Sequence, residues 1–141
     1  GDEGSGKTPL NVSLSISRDT YLYADPRQLR QVFWNLMHNA SQAMPEGGRI
    51  RLICEERGRE VEVKIIDEGH GIPTDKLDRI FDPFYSTKKK GTGLGLSQVH
   101  RIVEDHNGRI FVESDTGVGS TFQVILPVEA PEVTGQKEAL A

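Results

Sequence analysis

Hydrophobic and polar positions change period several times along the chain, and each change predicts an element. Leu10, Val12, Leu14 and Ile16 alternate with polar residues, the period of a half-buried strand. Arg18-Asp19 reads as a turn, after which Thr20 to Tyr23 reads as a strand pairing back. Asp25-Pro26 then opens a helix. Asp25 can cap free N–H groups, and Pro26 fits the first helical position, where its missing N–H costs nothing. Leu29, Val32, Phe33, Leu36, Met37 and Ala40 recur at spacings of three and four, giving one apolar face that Pro45-Glu46-Gly47-Gly48 terminates. Ile50, Leu52 and Cys54, then Val61, Val63 and Ile65, alternate on either side of Glu56-Arg57-Gly58-Arg59, which predicts a hairpin. The second of these strands runs into the glycine-rich loop Asp67 to Pro73, followed by a short helix over Thr74 to Arg79. A second loop, Phe81 to Gly95, carries glycines and the run Lys88-Lys89-Lys90. Leu94 to His106 reads as a helix with Leu96, Val99, Ile102 and Val103 on one side, stopped by Asn107-Gly108. Ile110 and Val112, then Phe122, Val124 and Leu126, mark a last pair of strands.

This order predicts an α/β (α+β) two-layer sandwich, one mixed sheet with helices packed on one face. Residues 1–9 read as a flexible segment, 10–128 as the folded domain, and 129–141, polar and aperiodic, as a disordered tail. The length of 141 residues fits one domain and buries roughly two-thirds of its unfolded surface. With 17 basic and 21 acidic residues the net charge is -4, which gives no electrostatic reason to expect nucleic acid. The single cysteine, Cys54, forbids an internal disulfide and suits a reducing, cytoplasmic compartment. Its alternation with Ile50 and Leu52 makes it a core filler. No apolar run approaches the roughly 20 residues of a membrane helix, so if the parent protein is a membrane receptor its anchor lies outside this segment.

Residues 1–8 satisfy a P-loop pattern by letter: Gly1, Gly6, Lys7 and Thr8. A phosphate loop must leave a buried strand and enter a helix. Here Pro9 and a strand-period run follow, so the match lacks its structural context. Chemistry is better carried elsewhere. Asn35 and Asn39 are four apart on the first helix and share a face with Gln28, Gln31 and Gln42 beside them. Such amide oxygens suit a hard cation that already carries phosphate oxygens, although, taken alone, a solvated polar face is the better reading of them. Asp67 ends a hydrophobic strand, where a carboxylate can accept from an exocyclic amine, and Gly69 and Gly71 allow close approach to a flat ring. A plain tight turn would use the same residues. Gly91, Gly93 and Gly95 precede a helix, so backbone N–H groups and the helix N-terminus can face phosphates.

Taken in order, Asn-x3-Asn, Asp-x-Gly-x-Gly, Phe-x2-Phe and Gly-x-Gly-x-Gly resemble the GHKL superfamily of ATP-binding domains and, within it, the sensor histidine kinases. Asp25 to Ala43 is similar to the N box, Asp67 to Pro73 to the G1 box, Phe81 to Lys88 to the F box and Gly91 to Ser97 to the G2 box. The resemblance covers about Leu10 to Pro127. It implies the Bergerat ATP-binding fold, with a mostly antiparallel mixed sheet, and ATP with Mg²⁺ as the bound species. Asn39 would hold Mg²⁺, with Asn35 beside the phosphates or the metal. Asp67 would bind the adenine amine with Thr121 assisting, and Gly69, Gly71 and Ile72 would shape the base pocket. Lys88, on a mobile lid, would touch phosphate, and Gly91, Thr92, Gly93, Leu94, Gly95 and Leu96 would hold the triphosphate.

The topoisomerase, mismatch-repair and chaperone branch carries a Glu where this chain has Asn35, whose amide is no general base near neutral pH. A short lid and the run from Phe84 to Leu96 resemble the nitrogen-regulation branch of kinases. Many relatives place a Lys where Gln42 stands. None of His38, His70, His100 and His106 has the acceptor context, so no catalytic residue is assigned. His38 could line the pocket, whereas His100 and His106 read as exposed. The family's transfer requires a helical dimerisation domain with the phosphoacceptor histidine, and a response regulator downstream. A hydrolytic ATPase and a degenerate module that binds no nucleotide are the rival readings.

Overall fold

A computed structural model describes residues 10–16, 24–82 and 95–128. The expectations for residues 1–9 and 129–141, for the strand over Thr20 to Tyr23, and for most of the second loop lie outside these residues.

Five strands and two helices alternate as β1 (Leu10–Ile16), α1 (Pro26–Gln42), β2 (Gly48–Arg57), β3 (Glu60–Asp67), α2 (Gly95–Asp105), β4 (Arg109–Asp115) and β5 (Gly119–Pro127). A single 3-10 turn, Thr74–Lys76, stands where a short helix was expected. The sheet order is β1-β2-β3-β5-β4. β1 runs parallel to β2, and the other pairings are antiparallel, so the sheet is mixed and mostly antiparallel as expected.

Alternation sets the faces. Val61, Val63 and Ile65 of β3 stand opposite Leu126, Val124 and Phe122 of β5, and all are buried. Leu52 and Cys54 of β2, and Ile110 and Val112 of β4, extend these rows and pack against the same core. Val32, Leu36 and Ala40 of α1 and Val99, Ile102 and Val103 of α2 cover that face. Each large apolar side chain buried this way stabilises the fold by about 1.5–3 kcal/mol. Residues one position out of phase face away from the helices. There the largely covered Glu62 carboxylate meets Arg57, Lys64 and the Gln123 amide.

The elements begin and end for local reasons. Asp25 caps α1, its carboxylate accepting the Arg27 N–H at 2.9 Å. At the end of α2, Asn107 takes a left-handed φ of 60°, and Gly108 N–H closes on the Val103 carbonyl at 2.9 Å. The β2–β3 hairpin is tighter than the four-residue link expected: only Gly58 and Arg59 join the strands, with Gly58 at φ 62°. The helices lie antiparallel, with Gln31 bonded to Gln98 and the Asp25 N–H reaching His106 Nε2 at 3.2 Å. His106 is therefore no exposed residue. Its Nδ1 lies 2.8 Å from the Ile102 carbonyl, so both ring nitrogens are in polar contact.

Candidate functional site: a buried carboxylate between two clamped turns

The apolar alternation of β3 continues through one more inward position, and that position is Asp67. It is only 3% exposed. Its neighbours across the sheet are Ile50 and Ser120, and Ser120 stands in turn beside Ser114. The inner face of the sheet thus turns from hydrocarbon to oxygen over one row. Burial pushes the Asp67 carboxyl above the ordinary carboxylate range. Backbone N–H groups of Gly69 and Ser120, with His70 nearby, partly oppose the rise. The Gly69 N–H donates to Oδ1 at 2.8 Å. Among these partners only main-chain amides bond the carboxylate, which leaves acceptor capacity for a ligand donor.

The loop after Asp67 is bolted on both sides. A Cβ on Gly69 would lie 2.6 Å from both the Ala43 side chain and its carbonyl oxygen, so glycine is required where the loop meets the end of α1. The adjacent His70 N–H donates to that carbonyl. On the other side Gly71, at φ 78°, runs against the Asp115 backbone, and Gly117 N–H donates to the His70 carbonyl at 2.8 Å. Ile72 N–H donates to Ser114 Oγ at 2.6 Å. Ile72 also packs on the core.

The second part of the site lies along α1. Asn35 Nδ2 donates to the Gly95 carbonyl at 3.3 Å, joining the helix flank to the first turn of α2. Asn39 follows one turn later on that flank, and Ala43, one turn further, meets the Gly69 loop. α1 therefore connects the start of α2 to the buried carboxylate. Phe81, where the F-box resemblance begins, is held edge-on to Phe122 and tilted against His100. On the outward side of α1, Trp34 stacks on His38, and Trp34 is 69% exposed. His38 faces outward with it and does not line the site.

The structure thus groups Asp67, Gly69, Gly71 and Ile72 at one end and Asn35, Asn39, Gly95 and Leu96 along the helices. Lys88, Gly91, Thr92, Gly93 and Leu94 lie outside the described residues. Thr121 needs correction. It pairs with Ile66 and Glu113, one step out of phase with Asp67, so its side chain points away from the helices. Ser120 takes the inward place. Sequence reasoning passed over Ser114 and Ser120 as well as Ala43. The signal for the serines was a polar residue continuing the apolar parity of Ile110-Val112 and of Phe122-Val124.

Comparison with known proteins identifies the family and the fold. The chain is 50% identical over 107 residues to the sensor histidine kinase ZraS of Escherichia coli (strain K12), covering 76% of this chain and 23% of that protein. Against sporulation kinase C of Bacillus subtilis (strain 168) it is 45% identical over 106 residues, 75% of this chain and 25% of the relative. It spans about a quarter of such relatives. The catalytic domain of the histidine kinase ThkA in a nucleotide-free form superposes with a TM-score of 0.77 at 34% identity, covering 85% of this chain and 80% of that one. Residues 24–130 match the family described as histidine kinase-, DNA gyrase B- and HSP90-like ATPases, and the chain belongs to that family.

Proposed function

We propose that residues 10–128 form the ATP-binding catalytic domain of a sensor histidine kinase. The observation that carries this reading is Asp67, a carboxylate buried at the end of a core strand with only backbone donors described around it. An exocyclic adenine amine supplies the donor such a carboxylate lacks. Gly69 and Gly71 let the loop pack directly on Ala43 and on the Asp115 backbone, which holds it in place beside the carboxylate. The triphosphate then extends along α1 toward the N-terminus of α2. Gly95 and Leu96 open that helix, and the N–H groups of a helix's first turn, which have no partner within the helix, favour anions. The carboxamides of Asn39 and Asn35 fit Mg²⁺ shared with phosphate oxygens, and no cluster of three His, Cys, Asp or Glu side chains competes for it among the described residues. Bound there, the metal offsets phosphate charge in phosphoryl transfer. Lys88 and the Gly91–Leu94 run complete the phosphate site in this reading.

Transfer of the γ-phosphate needs a helical dimerisation domain bearing the phosphoacceptor histidine, and a response regulator takes the phosphate onward. The relatives, one named a sensor histidine kinase and one a sporulation kinase, support this assignment over the hydrolytic branch. So does Asn35: a carboxamide is no general base toward water near neutral pH, and here its Nδ2 donates to the Gly95 carbonyl. No helix of the described residues is long and apolar enough to cross a membrane. The domain is placed on the cytoplasmic side, where ATP is available.

Calorimetry of the chain with ADP and a non-hydrolysable ATP analogue, with and without Mg²⁺, tests the reading. Saturable binding selective for adenine over guanine, tightened by Mg²⁺, is expected. Asn39→Ala should lose the Mg²⁺-dependent increment. Rapid ATP hydrolysis by the chain alone would instead favour the gyrase and chaperone branch.

A further inference from the structure

Ser114 is given no contact with the nucleotide itself, yet its hydroxyl joins three segments that meet around Asp67. Oγ accepts the Ile72 N–H at 2.6 Å, donates to the Gly119 carbonyl at 3.1 Å and lies 2.9 Å from Ser120 Oγ. A serine hydroxyl has one hydrogen and two lone pairs. The hydrogen is committed to Gly119 and one lone pair to Ile72. The contact between the serines can be donated from either side, and in the one arrangement that satisfies all three contacts at once the remaining Ser114 lone pair accepts from Ser120. Ser120 is 6% exposed and stands directly across the sheet from Asp67. Its own hydrogen is turned away toward Ser114, and it offers its surroundings lone pairs alone. Asp67 beside it also offers only lone pairs when ionised.

We propose that Ser114 is a positioning residue that sets purine selectivity. By fixing the direction of one hydroxyl hydrogen, it makes the inner wall at Asp67 and Ser120 purely hydrogen-bond accepting. It also locks the Ile72 turn against the β4–β5 hairpin, which fixes the height of the base slot. A 6-amino purine presents a donor to this wall. A 6-oxo purine presents an acceptor, and the two sets of lone pairs repel, a penalty that a buried polar site makes large. The inference rests on the nucleotide-binding reading above and adds to it the residue that governs base choice.

The test compares the parent chain with Ser114→Ala and Ser114→Thr by calorimetry, with ADP, inosine diphosphate and tripolyphosphate, all in Mg²⁺. The parent should prefer ADP to inosine diphosphate at least tenfold. Ser114→Ala should weaken ADP about tenfold, shrink that preference to threefold or less and leave tripolyphosphate within twofold. Ser114→Thr keeps the hydroxyl and should retain the preference. Should Ser114→Ala not fold, Ser120→Ala keeps the bonds to Ile72 and Gly119 and should lose the same preference. A parent that binds ADP and inosine diphosphate alike would overturn the inference and leave nucleotide binding standing. So would a Ser114→Ala chain with unchanged selectivity, or one that loses all ligands, tripolyphosphate included, in equal measure. A parent that binds no nucleotide at all would remove both readings.

Discussion

The two ends of the candidate site are built differently. Around Asp67 the backbone is fixed from three directions, by the end of α1, by the β4–β5 turn and by the two serines. Along α1 toward Gly95, the ties described are side-chain amides, Asn35 on the Gly95 carbonyl at 3.3 Å and Gln31 on Gln98 at 2.9 Å. The first end is preformed, with glycines packed where no side chain fits. The second relies on carboxamides that can reorient. A rigid base has one shape and rewards a rigid slot, because less ordering is required on binding. Phosphates and a hydrated cation change geometry as transfer proceeds and suit adjustable ligands. Base recognition should therefore respond to substitution steeply, and phosphate recognition gradually.

The largest effect is expected at Asp67. Asp67→Asn exchanges an acceptor for a group that can turn its NH₂ toward the base amine, and ADP should weaken by about 2–3 kcal/mol, roughly a hundredfold in Kd. Binding of tripolyphosphate should stay unchanged. Equal losses for the two ligands would erase the contrast between the ends.

The same variant carries a signature in pH. The folded-state pKa of Asp67 is raised, chiefly by burial, so the native chain holds this proton more tightly than the unfolded chain does. Its contribution to stability is full below the ordinary carboxylate value of about 3.9 and is lost as pH rises through the folded value. Without nucleotide, urea midpoints for the parent should fall across that window, while Asp67→Asn should lack this part of the decline. Parallel midpoint curves would show that the carboxyl is not strained by its burial.

Next in size is Gly69→Ala. The added methyl enters the space of the Ala43 side chain and carbonyl, and overpacking of this kind costs about 1–3 kcal/mol. The urea midpoint should fall, and ADP affinity should fall with it as the loop lifts. The smallest effect belongs to the other end: Asn35→Ala should cost about 0.5–1.5 kcal/mol in tripolyphosphate affinity with the ADP-to-inosine diphosphate ratio preserved. A change in base selectivity on that substitution would mean the two ends act as one.

Much of this was readable in advance, because periodicity is a local property. The runs Val61-Val63-Ile65 and Phe122-Val124-Leu126 announced strands, and Asp25-Pro26 and Asn107-Gly108 announced the helix boundaries found. The glycine-rich loop after Asp67 stood out by composition. The failures share one cause: they depend on which residues meet across the sheet. The order β1-β2-β3-β5-β4 comes from pairings between distant segments, and no local pattern states that β1 runs parallel to β2. Thr121 rather than Ser120 was chosen because parity at the start of β5 was not followed back from Phe122, and a slip of one residue moves a side chain to the opposite face. Ser114 was missed for the same reason. His106 looked exposed at a helix end until the antiparallel approach of α1 brought the Asp25 N–H to it.

Trp34 is the only tryptophan of the chain, and it faces outward from α1, stacked on His38 four residues later. Its indole already sits in water in the native protein. The emission maximum therefore moves little when the whole domain unfolds, and wavelength shift is a poor gauge of global melting here. The stack itself requires α1 to be helical, since only a helix brings residues four apart face to face. Quenching by the imidazole thus reports on that one helix. The intrinsic fluorescence is a local optical gauge of the segment that carries Asn35 and Asn39, and it can be read without a label.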